Sequence, residues 1–267
     1  MKSIYLDYAA TCPTDQKVLK KMNPYFTQNY GNESSMHSFG TKAKEDVENA
    51  RENILKKVNG KEHKLIFTSG GTESNNLALK GIAYSYKEKG KHIITTKIEH
   101  DCILNTCKFL EKEGFKVDYL NVDKDGFINL EELKNKITKE TILVSVIHGN
   151  NEIGTIQYIR EIGKICKEKG VFFHTDACQS FCKTEIDLIK DNVDLITINA
   201  HKIYGPKGIG TLIIKKGIKL TPLLHGGGHE YNLRSGTLNV PGIIGFQKSI
   251  NVISKKDIDK MTKIRDY

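Results

Sequence analysis

Three short stretches of the chain carry side chains with complementary chemistry. Residues 69–73 read Ser-Gly-Gly-Thr-Glu between an apolar run and an amphipathic stretch. Backbone amides at such a helix start, together with hydroxyl groups, suit a phosphate. Asp176 follows the apolar run 172–175, where an uncompensated carboxylate is costly and needs a cation. Lys202 follows another apolar run, and a lysine in a buried site can act as a Schiff-base amine.

Each of these features alone favours an ordinary structural role. The glycine turn is typical of a capped helix with Thr72 as the N-cap, and Asp176 or Lys202 alone is typical of a structural ion pair. Together they match the three groups of pyridoxal phosphate: an acid for the pyridinium nitrogen, a lysine for the aldehyde and a helix N-terminus for the phosphate. In that company His100, just after the apolar run 92–96, becomes a candidate to lie against the ring and transfer protons.

Three further patterns resemble metal sites, and we predict that none of them binds a metal. Residues 121–132 fit a calcium-loop template, but a strand-like run precedes them where an EF-hand requires a helix, so we predict a turn capping a helix after Leu130. The tract 225–230, His-Gly-Gly-Gly-His-Glu, has three glycines and is interpreted as a flexible loop. His174, Cys178 and Cys182 are interpreted as buried side chains, with the thiols packing as small hydrophobes.

Apolar, β-branched runs alternate with longer amphipathic stretches along the chain. The predicted strands are 64–68, 92–96, 117–120, 142–147, 171–175, 195–199 and 211–214. The predicted helices are 73–89, 102–113, 130–137 and 159–169, with another that begins near Lys42 after extended segments. This alternation predicts an α/β fold with three layers (α/β/α) and a mostly parallel central sheet, whose strands end at the site.

Length and composition limit the class of protein. The 267 residues are enough for a large core, and we predict an extended segment at 1–15, one large domain at 16–250 and the start of a helix toward a further domain at 251–267.

The net charge of +9 comes from lysines interspersed with glutamates, which is typical of solvated helix faces and predicts no nucleic-acid partner. No apolar run approaches the ~20 residues that span a bilayer, and the start lacks an apolar signal region. Six cysteines without a Cys-x-x-Cys pair complete the expectation of a soluble cytoplasmic protein with reduced thiols and no membrane contact.

The ordered motifs of the chain resemble those of the cysteine desulfurases, pyridoxal-phosphate enzymes of fold type I in the aminotransferase class-V family. The resemblance runs from Tyr-Leu-Asp-Tyr-Ala-Ala at 5–10 to the last residues. Its most specific pieces are the stretches 67–75, 96–100, 150–154, 176–179, 201–208, 225–230 and 234–237. The last two of these stretches separate desulfurases from other class-V aminotransferases.

The resemblance implies a role for each of nine residues. Lys202 would carry the cofactor covalently, Asp176 would pair with the pyridinium nitrogen, and His100 would stack on the ring and move protons. The residues that the resemblance places around the rest of the cofactor are Gly71, Thr72 and His201 at the phosphate, Asn151 and Gln179 near the ring 3-oxygen, and Thr237, which reaches the phosphate from the other subunit. A homodimer with a shared active site is therefore implied.

The implied reaction converts L-cysteine to L-alanine and transfers the sulfur as an enzyme persulfide, for an iron–sulfur scaffold or another acceptor protein. One departure is Asn199, where many relatives have serine; its amide is still able to donate to a phosphate. A larger departure concerns the persulfide cysteine, which the family carries on a loop of a small C-terminal domain and which none of the six cysteines matches. The family's substrate-binding arginine lies in the same missing part.

We therefore expect the chain to be the cofactor-binding part of a desulfurase without the nucleophilic loop. Two alternatives stay open from the sequence. One is a non-catalytic paralogue that binds the cofactor or a partner protein. The other is a selenocysteine lyase or another β-elimination that needs no enzyme thiol.

Overall fold

The computed structural model describes residues 3–267, and within them one seven-stranded sheet lies between layers of helices. The strands are β1 (His63–Thr68), β2 (His92–Thr96), β3 (Lys116–Leu120), β4 (Thr141–Ser145), β5 (Phe172–Asp176), β6 (Leu195–Asn199) and β7 (Gly210–Lys215). The helices are α1 (Gln16–Met22), α2 (Pro24–Thr27), α3 (Ser38–Lys57), α4 (Gly71–Tyr86), α5 (Asp101–Lys112), α6 (Leu130–Lys136), α7 (Ile159–Lys169), α8 (His229–Asn232), α9 (Val240–Ser249) and α10 (Lys255–Arg265).

The sheet confirms the predicted α/β architecture. Its strand order is β1-β7-β6-β5-β4-β2-β3, and the run from β3 to β6 is parallel throughout. Only β7 runs against its neighbours, pairing antiparallel with β6 and with β1. The carboxyl ends of β1, β2, β4, β5 and β6 therefore meet at one edge, where the predicted chemical residues follow the strands.

Two hydrophobic cores cover the two faces of the sheet. On β1, Leu65 and Phe67 belong to one core and Ile66 belongs to the other, because successive side chains of a strand point to opposite faces. Helices α3, α7 and α9 pack on the first face, and helices α4 and α5 pack on the second. Because both faces of the sheet are buried, successive residues of its central strands are mostly apolar. These apolar runs are the pattern from which the strands were predicted.

The start of α4 differs from the predicted one. The helix begins at Gly71, with Gly70 as its N-cap, whereas Thr72 was expected there. The reason is that the Glu73 carboxylate reaches back and accepts the Ser69 amide at 2.7 Å, which satisfies the turn without a hydroxyl cap. Thr72 is therefore exposed in the first turn of the helix.

The expectation of extended segments up to Lys42 is wrong for residues 16–27. Asp15 caps α1 by accepting the Lys17 amide at 2.7 Å, and Pro24 opens α2 at its first position, where its missing N–H costs nothing. Helix α3 begins at Ser38. Of the predicted N-terminal segment 1–15, residues 1 and 2 lie outside the described residues, and the stretch from Ser3 to Asp15 contains no helix or strand.

The tract 225–230, interpreted from sequence as a flexible loop, is anchored at its end. The Arg51 guanidinium on α3 donates to both carboxylate oxygens of Glu230, at 2.9 and 2.7 Å, and the Phe67 amide on β1 donates to the same carboxylate at 2.7 Å. Burial alone lowers the pKa of Arg51, but the hydrogen bond and charge of Glu230 raise it above its usual range. The loop after the three glycines is thus joined to α3 by a buried ion pair and to β1 by a backbone hydrogen bond.

The calcium-like stretch 121–132 forms the predicted turn. The Asp123 carboxylate accepts the amides of Asp125 and Phe127, both at 2.9 Å, and Asn129 caps α6. Nowhere in residues 3–267 do three or more His, Cys, Asp or Glu side chains gather as metal ligands. No helix in that range is long and apolar enough to cross a membrane.

We expect Arg51→Ala to destabilise the fold by about 3–5 kcal/mol, because it leaves the Glu230 carboxylate buried without its cation. Lys42→Ala is the control, since Lys42 pairs with Asp46 on the surface, and should cost roughly 0.5 kcal/mol or less. Urea unfolding of both variants measures the difference. Equal midpoints for the two variants would show that the Arg51–Glu230 pair does not anchor the loop.

Candidate active site

A cavity of about 590 Å³ opens at the carboxyl edge of the sheet. The ends of β2, β5 and β6, the loop after β4, the first turns of α4 and the N-terminal segment all contribute to its wall. Seven of the nine residues singled out from sequence line it: Gly71, Thr72, His100, Asn151, Asp176, His201 and Lys202. The topology therefore brings together residues that are up to 131 positions apart, from Gly71 to Lys202.

Asp176 ends β5 and is only 4% exposed. Its Oδ2 accepts the Asn75 amide at 2.6 Å, and its Oδ1 accepts the Cys178 backbone amide at 2.9 Å. The sequence predicts a cationic partner for this carboxylate, yet no lysine or arginine of residues 3–267 forms an ion pair with it. A negative charge thus faces the cavity with only neutral donors around it.

Lys202 lies in the turn that follows β6 and is half-buried. It forms no ion pair with any carboxylate in the described part of the chain. The N-terminal segment holds the turn in place, because the Cys12 amide donates to the His201 carbonyl at 2.9 Å and the Asp15 amide to the Tyr204 carbonyl at 3.0 Å. An unpaired amine therefore shares the cavity with an unpaired carboxylate.

His201 is fixed beside that lysine. Its ring Nδ1 lies 3.1 Å from the Thr11 hydroxyl, and burial together with the charges of Lys202, Lys207 and Lys183 lowers its pKa. The imidazole is therefore neutral at physiological pH, and one of its ring nitrogens donates a hydrogen bond while the other accepts one.

Gly71 stands at the amide-rich start of α4, where the first N–H groups have no partner within the helix. A Cβ at this position would lie 2.7 Å from the Cys178 Sγ and 3.6 Å from the Asn199 amide nitrogen. Asn199 ends β6 and is 3% exposed, and its Oδ1 has no hydrogen-bond partner among the described residues. The start of α4 thus packs against Cys178 and Asn199 so closely that only glycine fits at position 71.

His100 caps α5 with its ring. The Cys102 amide donates to His100 Nδ1 at 3.1 Å, so Nδ1 is the acceptor and Nε2 is the ring nitrogen left to carry a proton. Asn151, in the loop after β4, is half-buried, and its amide donates to Glu152 at 2.7 Å. Both side chains line the cavity near its mouth.

Two predicted site residues lie elsewhere. Gln179 is not among the described residues that line the cavity; its amide donates to the Ala9 carbonyl at 3.2 Å and its carbonyl accepts Lys183 Nζ at 2.9 Å. It therefore holds the N-terminal segment that forms part of the wall. Thr237 is exposed on the loop after α8 and outside this cavity.

Asn75 and Cys102 are site residues that the sequence analysis missed. Asn75 is fully buried, and its amide donates to Asp176 and also lies 3.1 Å from the Cys102 Sγ. Its position four residues after Gly71 puts it on the same face of α4, which is the signal that was available. Burial first, and then nearby carboxylates, raise the pKa of Cys102 to about 11, and the same two causes raise the pKa of Cys178 well above its usual value. Both thiols are therefore protonated and poor nucleophiles at neutral pH.

These residues fit pyridoxal phosphate. The unpaired Asp176 carboxylate suits a protonated ring nitrogen, the unpaired Lys202 amine suits an aldehyde, and the orphan amides at the start of α4 suit a phosphate. Gly71 lines the cavity at this helix start and has no side chain to cover those amides. The carboxylate, the amine and the helix start all line one cavity.

Comparison with known proteins agrees with this geometry. The family model described as "Aminotransferase class-V" matches residues 4–266. A protein named "Cysteine desulfurase IscS" from Clostridium botulinum (strain Hall) is 52% identical over 267 residues, which are 99% of this chain and 67% of that protein. The chain belongs to the cysteine desulfurases of the aminotransferase class-V family.

Solved structures place this desulfurase chain in the same fold. A structure titled "NIFS-LIKE PROTEIN" superposes with a TM-score of 0.93 at 40% identity, covering 99% of this chain and 74% of the other. One titled "SspA in complex with cysteine" gives a TM-score of 0.92, also at 40% identity, and covers 99% and 78%. The desulfurase chain thus spans about two thirds of the length of its Clostridium relative and about three quarters of these two structures.

Gly71→Ala should destabilise the desulfurase chain by about 1–3 kcal/mol, because the new methyl group overlaps the Cys178 sulfur. In the double variant with Cys178→Ala the overlap disappears, so its stability should match that of Cys178→Ala alone. Thermal unfolding of the two single variants and the double variant gives the coupling. Strictly additive losses would mean that the two side chains do not compete for this space.

Proposed function

We propose that the chain binds pyridoxal phosphate and, with it, converts L-cysteine to L-alanine. The observation that carries the proposal is the pair of unpaired opposite charges, Asp176 and Lys202, in one cavity with a helix N-terminus. Membership of the desulfurase family supports it, as does the structural neighbour whose title describes a complex with cysteine.

In the proposed complex, Lys202 holds the cofactor, Asp176 neutralises the ring nitrogen, and the amides of Gly71 and Thr72 receive the phosphate. His201 and Asn199 border the same region. When bound, pyridoxal phosphate supplies an aldehyde that condenses with amines and a ring that withdraws electrons from bonds at the amino acid's α-carbon. Gln179 keeps the Ala9 segment against the site through its amide hydrogen bond.

Proton transfer is assigned to Lys202 and His100. With its amine free, Lys202 would be the base in the cavity that takes the α-proton of cysteine. His100 has its Nδ1 engaged by the Cys102 amide, so its Nε2 is the ring atom free to exchange a proton toward the cavity.

The sulfur step requires a thiol acceptor. The Cβ–S bond of cysteine breaks, Cβ gains the electron pair and a proton to give alanine, and the sulfur joins the acceptor thiol as a persulfide. Cys102 and Cys178 line the cavity, but both are held protonated by burial, so we propose that neither is the acceptor. The acceptor thiol is then an added thiol or a cysteine outside these 267 residues.

We further propose a cytoplasmic homodimer that supplies sulfur to an iron–sulfur scaffold or another acceptor. Ile4, Leu6 and Met36 are 80%, 88% and 98% exposed, and we propose that these apolar side chains take part in the contact between copies. Thr237 is exposed and free to reach a second copy. The division of the chain into the segments 1–15, 16–250 and 251–267, with the cofactor site in the second, is also part of this proposal.

A second candidate reaction is a β-elimination that needs no enzyme thiol, such as selenocysteine lysis. The raised pKa values of the two cavity thiols favour it. Selenide release from selenocysteine, with no sulfide release from cysteine under the same conditions, would distinguish this reaction from desulfuration.

The purified chain supplied with pyridoxal phosphate should be yellow, and Lys202→Ala should abolish the absorption band, because the amine that holds the aldehyde is gone. Lys207→Ala, an exposed lysine five residues later, is the matched control and should keep the band. Absorption spectra after removal of free cofactor measure the effect. A colourless but folded wild-type chain would overturn the cofactor assignment.

The chain alone should release little or no sulfide from L-cysteine, because its cavity thiols are protonated. Sulfide assays on the wild type, Cys102→Ser and Cys178→Ser test this prediction. Robust wild-type turnover that one of the two substitutions abolishes would instead identify that thiol as the sulfur acceptor.

A further inference from the structure

The wall behind Asp176 contains a second buried carboxyl group that the proposed reaction does not use. Glu99 is 6% exposed, and its Oε1 accepts the Thr96 hydroxyl and the Ile147 amide, both at 2.8 Å. Its Oε2 is buried without a hydrogen-bond partner among the described residues. A half-satisfied buried carboxyl is expensive and calls for an explanation.

The Glu99 side chain joins two segments that carry cavity residues. Through Ile147 it ties the turn after β2 to the segment after β4. A second tie, from the Asn150 amide to the Ile98 carbonyl at 2.8 Å, joins the same two segments. The residues next in the chain after Glu99 and Asn150 are His100 and Asn151, and both line the cavity.

The charges around Glu99 oppose its ionisation. Asp176 contributes a repulsion that, with burial as the larger cause, raises the pKa of Glu99 to about 8, against hydrogen bonds that lower it. The groups that face Glu99 are Thr96 on β2, the Ile147 amide, Asp176 on β5, and the thiols of Cys102 and Cys107 on α5. None of them is a cation.

Asn75 Oδ1 is a second buried acceptor in this wall that has no hydrogen-bond partner among the described residues. Asn75 contacts Asp176 and Cys102, two groups that are electrostatically coupled to Glu99. With Glu99 ionised, the wall would hold two carboxylates and an unpaired amide oxygen; with Glu99 neutral, it holds one carboxylate and an additional donor.

We propose that Glu99 is a positioning residue for the cofactor site: as a neutral acid it ties the His100 turn to the Asn151 segment and leaves Asp176 as the single negative charge for the ring nitrogen. This role rests on the proposed function. Glu99 touches neither substrate nor cofactor in it and acts through His100, Asn151 and Asp176.

The proton on Glu99 is tested first in the cofactor-free chain. In the unfolded chain Glu99 loses its proton near its ordinary pKa of 4.5, whereas in the folded chain it keeps the proton up to about pH 8. The stability that this proton contributes is therefore fully present below pH 4.5 and is lost as the pH rises to about 8. Glu99→Gln mimics the neutral acid and lacks this loss. The folding equilibrium constant of Glu99→Gln divided by that of the wild type should therefore rise with pH. The expected rise is up to about tenfold per pH unit from about pH 5 to about pH 8.

Urea unfolding of both chains across this pH range measures the ratio, with Glu131→Gln on the exposed start of α6 as the control that should stay flat. A flat ratio for Glu99→Gln as well would show that Glu99 is ionised in the folded chain and would overturn the proposal. Because no cofactor is present, this outcome is independent of the proposed function.

Positioning is tested by cofactor titration at pH 6.5 with Glu99→Gln and Glu99→Ala. Removing the tie in Glu99→Ala should raise the dissociation constant of pyridoxal phosphate at least tenfold, and Glu99→Gln, which keeps the Oε1 acceptor, should recover most of that loss. Equal affinities for wild type and Glu99→Ala would overturn the positioning role. A wild-type chain that binds no pyridoxal phosphate would instead overturn the proposed function and leave the pH result to stand by itself.

Discussion

The Asp176 carboxylate sits at the end of a central strand, buried and surrounded only by neutral N–H donors. A charge in that position is tolerated because Asn75 and the Cys178 amide each satisfy one oxygen. The remaining features of the site follow from this constraint. Cys178, whose amide donates to Asp176, packs against Gly71, and Lys202 lines the same cavity without an ion pair to Asp176. The cavity therefore has the electrostatic complement of a cofactor with a cationic ring and an anionic phosphate.

The parallel sheet makes this arrangement possible. Strands β2, β4, β5 and β6 deliver their carboxyl ends to one edge, so residues distant in sequence become neighbours there. Gly210, the first residue of the antiparallel strand β7, lies opposite both Thr68 and Asn199, so β1 and β6 end at the same level on the two sides of β7. The ends of α3 and β1 are then joined to the 225–230 loop by the Arg51–Glu230 pair.

The sequence predicted those parts of the molecule that depend on local pattern. The boundaries of β2, β6 and α7 agree with the apolar periodicity, and Asp176 and Lys202 meet because strand ends in a parallel sheet share an edge. What the sequence did not predict depends on side chains that reach across the fold. Glu73, which accepts the Ser69 amide at the start of α4, is paired with Arg234, 161 residues away, and Glu230 is anchored by Arg51, 179 residues away. Asn75 was missed for the same reason, since its partner Asp176 lies 101 residues later.

The N-terminal segment over the Lys202 turn has a consequence for how the molecule is made. Cys12 contacts the Lys202 carbonyl, and Thr11 contacts His201, across separations of 190 residues. Contacts of such long range form late, because the intervening chain must be ordered first. During synthesis the wall of the cavity therefore stays open on one side until the strands between have been made and paired. The cavity is therefore closed only after segments from opposite ends of the chain have come together.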